Sequence, residues 1–201
     1  MSIPSLSANE LPESSLRIHF FGHESAYIAQ IAHRFGGLAD QSPESECDLA
    51  VFAVNPASGI DAPTISAWEA MNDSMVPRLI IIVLEEDSEA DFDDAVMLCN
   101  RVFDQTVTPF LVLHDDSGLP CALISLQTQE IIDYSTTPPT ISDSESEHKT
   151  LVSEFRDEYL EILETHGEDG FEAGVLFPAI PLTMNGPLGA DIVESYIARL
   201  N

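Results

Sequence analysis

The chain has 201 residues, enough to bury one sizeable core together with a small second lobe. At 44% hydrophobic it is too apolar for a disordered segment, and its longest aliphatic run, 79–84, is far too short to cross a bilayer. Its 35 acidic and 7 basic residues leave a net charge of −28, which excludes nucleic acid and anionic membrane as direct partners and repels triphosphates unless a local positive site compensates.

Residues 1–16 are rich in Ser and lack periodicity, so they read as a flexible arm. The first basic residue is Arg17, so the start lacks the charged region of a signal peptide. Residues 17–21 read as a short strand and 24–35 as a helix with Tyr27, Ile28, Ile31 and Phe35 on one stripe. A polar loop of turn residues covers 36–46, and 48–54 is a buried strand. Asp61 caps a helix reaching about 74, with Pro63 in its first turn. The strand 79–84 is followed by a helix from 88 to 103, capped by Ser88, with Asp91 placed to reach back. Its inner stripe is Phe92, Val96, Cys99 and Phe103.

Three strands are expected at 107–113, 121–126 and 130–133, the first two joined by the turn Asp115-Asp116-Ser117-Gly118. Residues 135–146, rich in Thr, Pro and Ser, read as a linker. The longest helix is expected at 147–166, with Leu151, Phe155, Tyr159, Ile162 and Leu163 buried. A strand at 175–180 and a helix to Leu200 complete the chain. Strands alternating with helices predict an α/β fold with a mostly parallel sheet covered on both faces.

Gly22-His23-Glu24-Ser25-Ala26-Tyr27-Ile28-Ala29 lies between a strand and a helix, where a phosphate loop G-x-x-x-x-G-K-S/T belongs. Tyr27 stands at the second glycine, Ile28 at the lysine and Ala29 at the Ser/Thr. Such a cradle needs backbone N–H groups close to the anion, with a lysine and a metal to offset its charge. Tyr27 obstructs the close approach a glycine permits, Ile28 brings no charge, and Glu24 repels.

Downstream, Asp48-Leu49-Ala50-Val51, then Asn55-Pro56 through Gly59-Ile60 with Thr64 and Trp68, then Val76-Pro77-Arg78 and Ala90-Asp91-Phe92, follow in a fixed order. That order resembles the G domain of elongation factor G and its ribosomal-protection relatives. The run from the Pro109 strand through the Gly118 hairpin to Tyr134 is similar to the start of their inserted G-prime subdomain, and the acidic helix after Glu147 to that subdomain's helix. The resemblance implies a P-loop GTPase-like core at 17–106 and 171–201, lacking the switch-region strands, with a G-prime-like α+β insertion at 107–170. The guanine motif N-K-x-D falls on Val83, Leu84, Glu85 and Glu86, so its asparagine and lysine are missing. The last base loop falls near Ala179-Ile180. Only about a dozen residues join the first helix to the strand at Asp48, where the family places both switches.

Other constellations are weaker. His19, His23, His33 and Cys47 offer zinc-type ligands, but His19 and His23, four apart, fall on a strand and its following turn rather than on one helix face, and no metal or other cofactor is expected. Cys47, Cys99 and Cys121 read as buried thiols of a reducing cytoplasm. Seven carboxylates between Glu85 and Asp94 lack the glycine of a calcium loop and read as a solvated helix start. Glu154, Asp157, Glu158, Glu161 and Glu164 recur at three- and four-residue spacing on one helix face, with Arg156 the only basic residue between Leu151 and His166. An ordinary wet face accounts for them, as does a docking surface for a basic protein. The resemblance implies one such partner, the basic C-terminal domain of the ribosomal stalk protein. The expected function is a non-catalytic pseudo-GTPase that binds protein near the translation machinery. The alternatives are an enzyme or ligand-binding protein that reuses the nucleotide crevice, with His23 and Asn55 at its mouth, and a structural oligomerisation domain.

Overall fold

The computed structural model describes residues 16–85, 91–103 and 106–201. Two sheets organise the chain. The first elements are β1 (Ile18–Gly22), α1 (Ile28–Arg34), β2 (Leu38–Ala39), β3 (Leu49–Val54), α2 (Ala62–Ala70), β4 (Arg78–Leu84), α3 (Phe92–Val102) and β5 (Thr106–Val107). Next come β6 (Phe110–His114), β7 (Pro120–Ser125), β8 (Glu130–Asp133), β9 (Thr140–Asp143), α4 (Ser146–Leu151) and α5 (Ser153–His166). The chain closes with β10 (Phe177–Thr183) and α6 (Ala190–Ala198).

The main sheet is parallel throughout, in the order β2-β1-β3-β4-β10-β5. Its central strands read LAVFAV and RLIIIVL, and every residue in both is buried. Continuous apolar runs of this kind belong to strands covered on both faces. The antiparallel sheet, β6-β7-β8-β9, is a meander. At its first turn the Asp115 carboxylate accepts from the Ser117 hydroxyl at 2.6 Å and from the Leu119 and Ser117 N–H groups at 3.0 and 2.8 Å, bonds that hold that carboxyl below its usual range, the hydroxyl bond most of all. The Tyr134 hydroxyl donates to Asp191 Oδ1 at 2.6 Å, tying the end of this sheet to α6.

Beneath the main sheet, Trp68 of α2 stacks on Phe103 at 4.2 Å and meets Phe177 edge-on at 5.0 Å. Arg78, only 2% exposed, lies over both Trp68 and Phe177 at 4.5 and 4.9 Å. Its guanidinium donates to the Trp68 carbonyl at 3.3 Å, to Asn72 Oδ1 at 3.0 Å and to the Met71 carbonyl. Arg78 therefore caps the end of α2, where carbonyls lack helical partners.

Several expected elements differ. The helix expected at 24–35 is broken. A 3-10 turn covers Glu24–Ala26, Tyr27 is left-handed at φ 54 and ψ 37, and α1 begins only at Ile28. Ser88 lies outside the described residues, and Asp91 caps α3 by accepting from Asp94 N at 2.9 Å. The strand expected at 107–113 is two strands. Val107 pairs with Pro178 in the main sheet, and the antiparallel sheet starts at Phe110 rather than at 107.

The expected linker 135–146 holds β9, whose four residues are exposed and are carried by the backbone ladder to β8. The helix expected at 147–166 is two, interrupted at the buried Val152. That interruption turns Leu151 outward to 69% exposure and leaves Phe155 at 53%, so Tyr159 is the only buried residue of α5. Ala179 and Ile180, expected near the last base loop, are buried inside β10.

Candidate functional site

In a parallel sheet the ligand crevice lies beyond the carboxyl ends of the strands. Here that edge is formed by Gly22 at the end of β1, Asn55 after β3 and Glu85 after β4. Gly22 has φ 151, and a Cβ there would sit 2.3 Å from the Ala53 carbonyl oxygen. Its glycine is thus required by the neighbouring strand, whatever the loop holds. His23 caps the turn that follows: its Nδ1 accepts from Ser25 N at 3.2 Å and lies 2.8 Å from Ser25 Oγ.

Tyr27 keeps the backbone conformation that a glycine would favour, at a position where a bulky residue is strained. Its side chain shows what holds it there. The hydroxyl donates to Glu85 Oε1 at 2.6 Å, and that bond, with the nearby charge, raises the phenol above its ordinary pKa. The buried Asn55 side chain donates to Glu85 Oε2 at 3.1 Å and to the Ser25 carbonyl at 3.0 Å, while its Oδ1 accepts from Ala57 N at 3.0 Å. One carboxylate thus collects donors from the turn after β1 and from the end of β3, at the carboxyl edge of the sheet.

The chain's only lysine, Lys149, is on α4. Arg34 of α1 is directed elsewhere, toward the Thr183 and Gly186 carbonyls at 3.3 and 3.4 Å. Ile28 is half-buried against the core and Ala29 is exposed. Val83 and Leu84 are buried within β4, so the asparagine and lysine positions of the guanine motif are core positions; Glu86 lies outside the described residues. Beside the crevice is an open hollow of about 400 Å³ that adds Asp40 and Glu44 rather than cations.

The zinc-type residues do not assemble. His19 is buried in β1, where burial lowers its pKa, and among the described residues no group of three or more His, Cys, Asp or Glu is placed to hold a metal. Cys99 is deeply buried, and burial pushes its thiol up to about 12; Cys47 and Cys121 are half-buried, with raised thiols for the same leading reason. On α5, Glu154, Asp157, Glu158, Glu161 and Glu164 are all exposed. Sequence reasoning missed Glu85 as the acceptor shared by Tyr27 and Asn55. The available signal was a carboxylate at the first residue beyond an aliphatic strand, in a chain with a tyrosine at a glycine position.

No family model matches the chain. Over 163 residues it is 25% identical to an elongation factor G-like protein of Mycobacterium tuberculosis strain CDC 1551, in a match covering 71% of this chain and 22% of that protein. The counterpart from strain H37Rv matches equally. The chain contains a domain related to elongation factor G. A crystal structure from Thermus thermophilus has the same fold, with a TM-score of 0.62 at 18% identity over 75% of this chain and 26% of that one. The elongation factor G-related domain therefore spans about a fifth of the length of the curated relatives it matches.

Proposed function

We propose that this elongation factor G-related domain is a non-catalytic pseudo-GTPase that works by binding protein, on or near the translation machinery. The observation that carries the proposal is the Tyr27–Glu85–Asn55 network, which puts a fixed carboxylate where a nucleotide needs cations and open backbone N–H groups. The former crevice still gathers polar groups, the feature that would favour a small-ligand or enzymatic site. Here the Tyr27 hydroxyl, the Asn55 amide and the Glu85 carboxylate bond to one another, which weighs against that alternative.

With the crevice self-occupied, the surface is left to act. The exposed acidic row of α5 and the net charge of −28 suit a basic protein partner. The family resemblance supplies a candidate, the basic C-terminal domain of the ribosomal stalk protein. Calorimetric titration of that domain at low and high salt tests the pairing. The proposal expects binding at low salt that weakens steeply as salt rises. Absence of heat at high micromolar concentration in low salt removes this partner.

A further inference from the structure

We propose that the groove between α3 and α5 seats an amphipathic helix of a partner protein, apolar on its inserted side and basic along both flanks. This rests on the protein-binding reading above and adds to it an apolar anchor and a second wall. The α3 wall presents Asp93, Val96, Met97 and Asn100. The α5 wall presents Phe155, Glu158, Tyr159 and Ile162. Both sets run i, i+3, i+4, i+7, so each wall is a single helix face. Val107, Leu111 and Leu126 contribute the apolar lining between them.

The cavity measures about 370 Å³, small among ligand pockets of ~300–1,000 Å³ and suited to a few side chains rather than to a folded lobe. Met97 and Phe155, on opposite walls, are 54% and 53% exposed. Large apolar side chains paired across a groove mark an interaction surface. Neither wall is a strand edge, so a helix laid into the groove suits it better than an added strand.

The charge selects the occupant. Each wall carries a carboxylate, Asp93 on α3 and Glu158 on α5, and among the described residues neither is ion-paired. Glu154 and Glu161, one turn to either side of Glu158, extend that edge of the groove. A helix with Lys or Arg on both flanks meets carboxylates on both sides, whereas an acidic helix is repelled.

The test uses the full chain, isotopically labelled, and a synthetic helical peptide with Leu at i, i+3, i+4 and i+7 and Lys on both flanks. The proposal expects NMR shifts concentrated at Val96, Met97, Tyr159 and Ile162. Met97→Glu combined with Phe155→Glu is expected to weaken binding at least about tenfold. Both side chains are more than half exposed, so the melting temperature should hold and a folding defect is separable from lost binding. A control peptide keeps the lysines and carries Gln for Leu. If it binds as tightly and at the same residues, the groove is overturned while acidic-face docking survives. A second control keeps Leu and carries Gln for Lys; equal binding by it overturns the charge selection and the proposal. Binding of neither lysine peptide overturns the groove and the basic-partner reading together. Shifts with benzene but with no peptide would make this a small-molecule pocket and overturn the proposal.

Discussion

The Tyr27 hydroxyl donates to Glu85 Oε1 at 2.6 Å, linking the turn after β1 to the end of β4 through 58 residues of sequence. This bond fixes a left-handed tyrosine where a phosphate loop has a glycine, and places the tip of β4 against that turn. A double-mutant cycle of Tyr27→Phe and Glu85→Gln measures the link. Each single change is expected to lower the melting temperature, and the double change should cost less than the two combined, because either one already breaks the bond. Strict additivity in thermal melts would mean the contact is not made in solution.

Arg78 carries more of the fold. Its buried guanidinium caps the α2 carbonyls and lies between Trp68 and Phe177. Arg78→Ala leaves those carbonyls without their donor and opens a cavity among the rings. Losing buried hydrogen bonds to a charged group costs about 1.5–3 kcal/mol, which for a chain of this size lowers the melting temperature by roughly 4–10 °C. Calorimetry of the variant checks this; a shift of under a degree would contradict the assigned role.

All four tyrosines, Tyr27, Tyr134, Tyr159 and Tyr196, have raised phenol pKa values. Burial is the leading cause for Tyr134, Tyr159 and Tyr196, and the Glu85 bond for Tyr27. A raised phenol pKa means that folding favours the protonated form. The stabilisation is therefore complete below the unfolded value near 10 and is lost as pH climbs past it toward the folded values. Absorbance at 295 nm should show tyrosinate appearing later than in the denatured chain, and together with unfolding. A titration centred on pH 10 in the native state would contradict this.

At the acid end, bonds from the Arg17 side chain and backbone hold the Asp48 carboxyl down at about 2. Because that value lies below the unfolded one near 3.9, the contribution is present above pH 4 and fades as pH falls toward 2. Both side chains are well exposed, so the effect is small. Carbon-13 NMR titration of Asp48 should give a midpoint well below that of the denatured chain, and Arg17→Gln should return it toward the ordinary range.

The sheet and its order of elements were legible because β3 and β4 are unbroken apolar runs, and because Asp61 and Pro63 mark a helix start in the usual way. What was hidden depends on tertiary contact. β9 has four exposed residues and is ordered only by its ladder to β8, so no hydrophobic pattern announces it. The break at Val152 follows no Gly or Pro, and it turned an expected core residue, Leu151, into an exposed one. The absence of a phosphate loop could be read from Tyr27, Ile28 and Ala29. The bond from Tyr27 to Glu85 was harder to read, because it joins residues 58 apart in sequence and only the carboxylate directly after β4 pointed to it.

The acidic row of α5 is expected to govern association rather than stability. Replacing Glu154, Asp157, Glu158 and Glu161 together with Gln or Asn should leave the melting temperature nearly unchanged, since exposed charges contribute little. It should slow association with a basic partner and flatten the salt dependence. Stopped-flow or surface-based kinetics separates the two effects; an unchanged association rate would clear this face of the role.

The central claim, that the crevice is closed to nucleotide by its own side chains, is tested most directly by thermal melts with millimolar GTP, GDP or ATP and magnesium. A ligand at a hundred times its dissociation constant stabilises by about 2.7 kcal/mol, which for a chain of this size raises the melting temperature by roughly 5–10 °C. The account predicts no shift with any of the three. A reproducible rise above about three degrees with a guanine nucleotide would mean that the Tyr27–Glu85 contact opens to admit it, and would contradict the pseudo-GTPase reading.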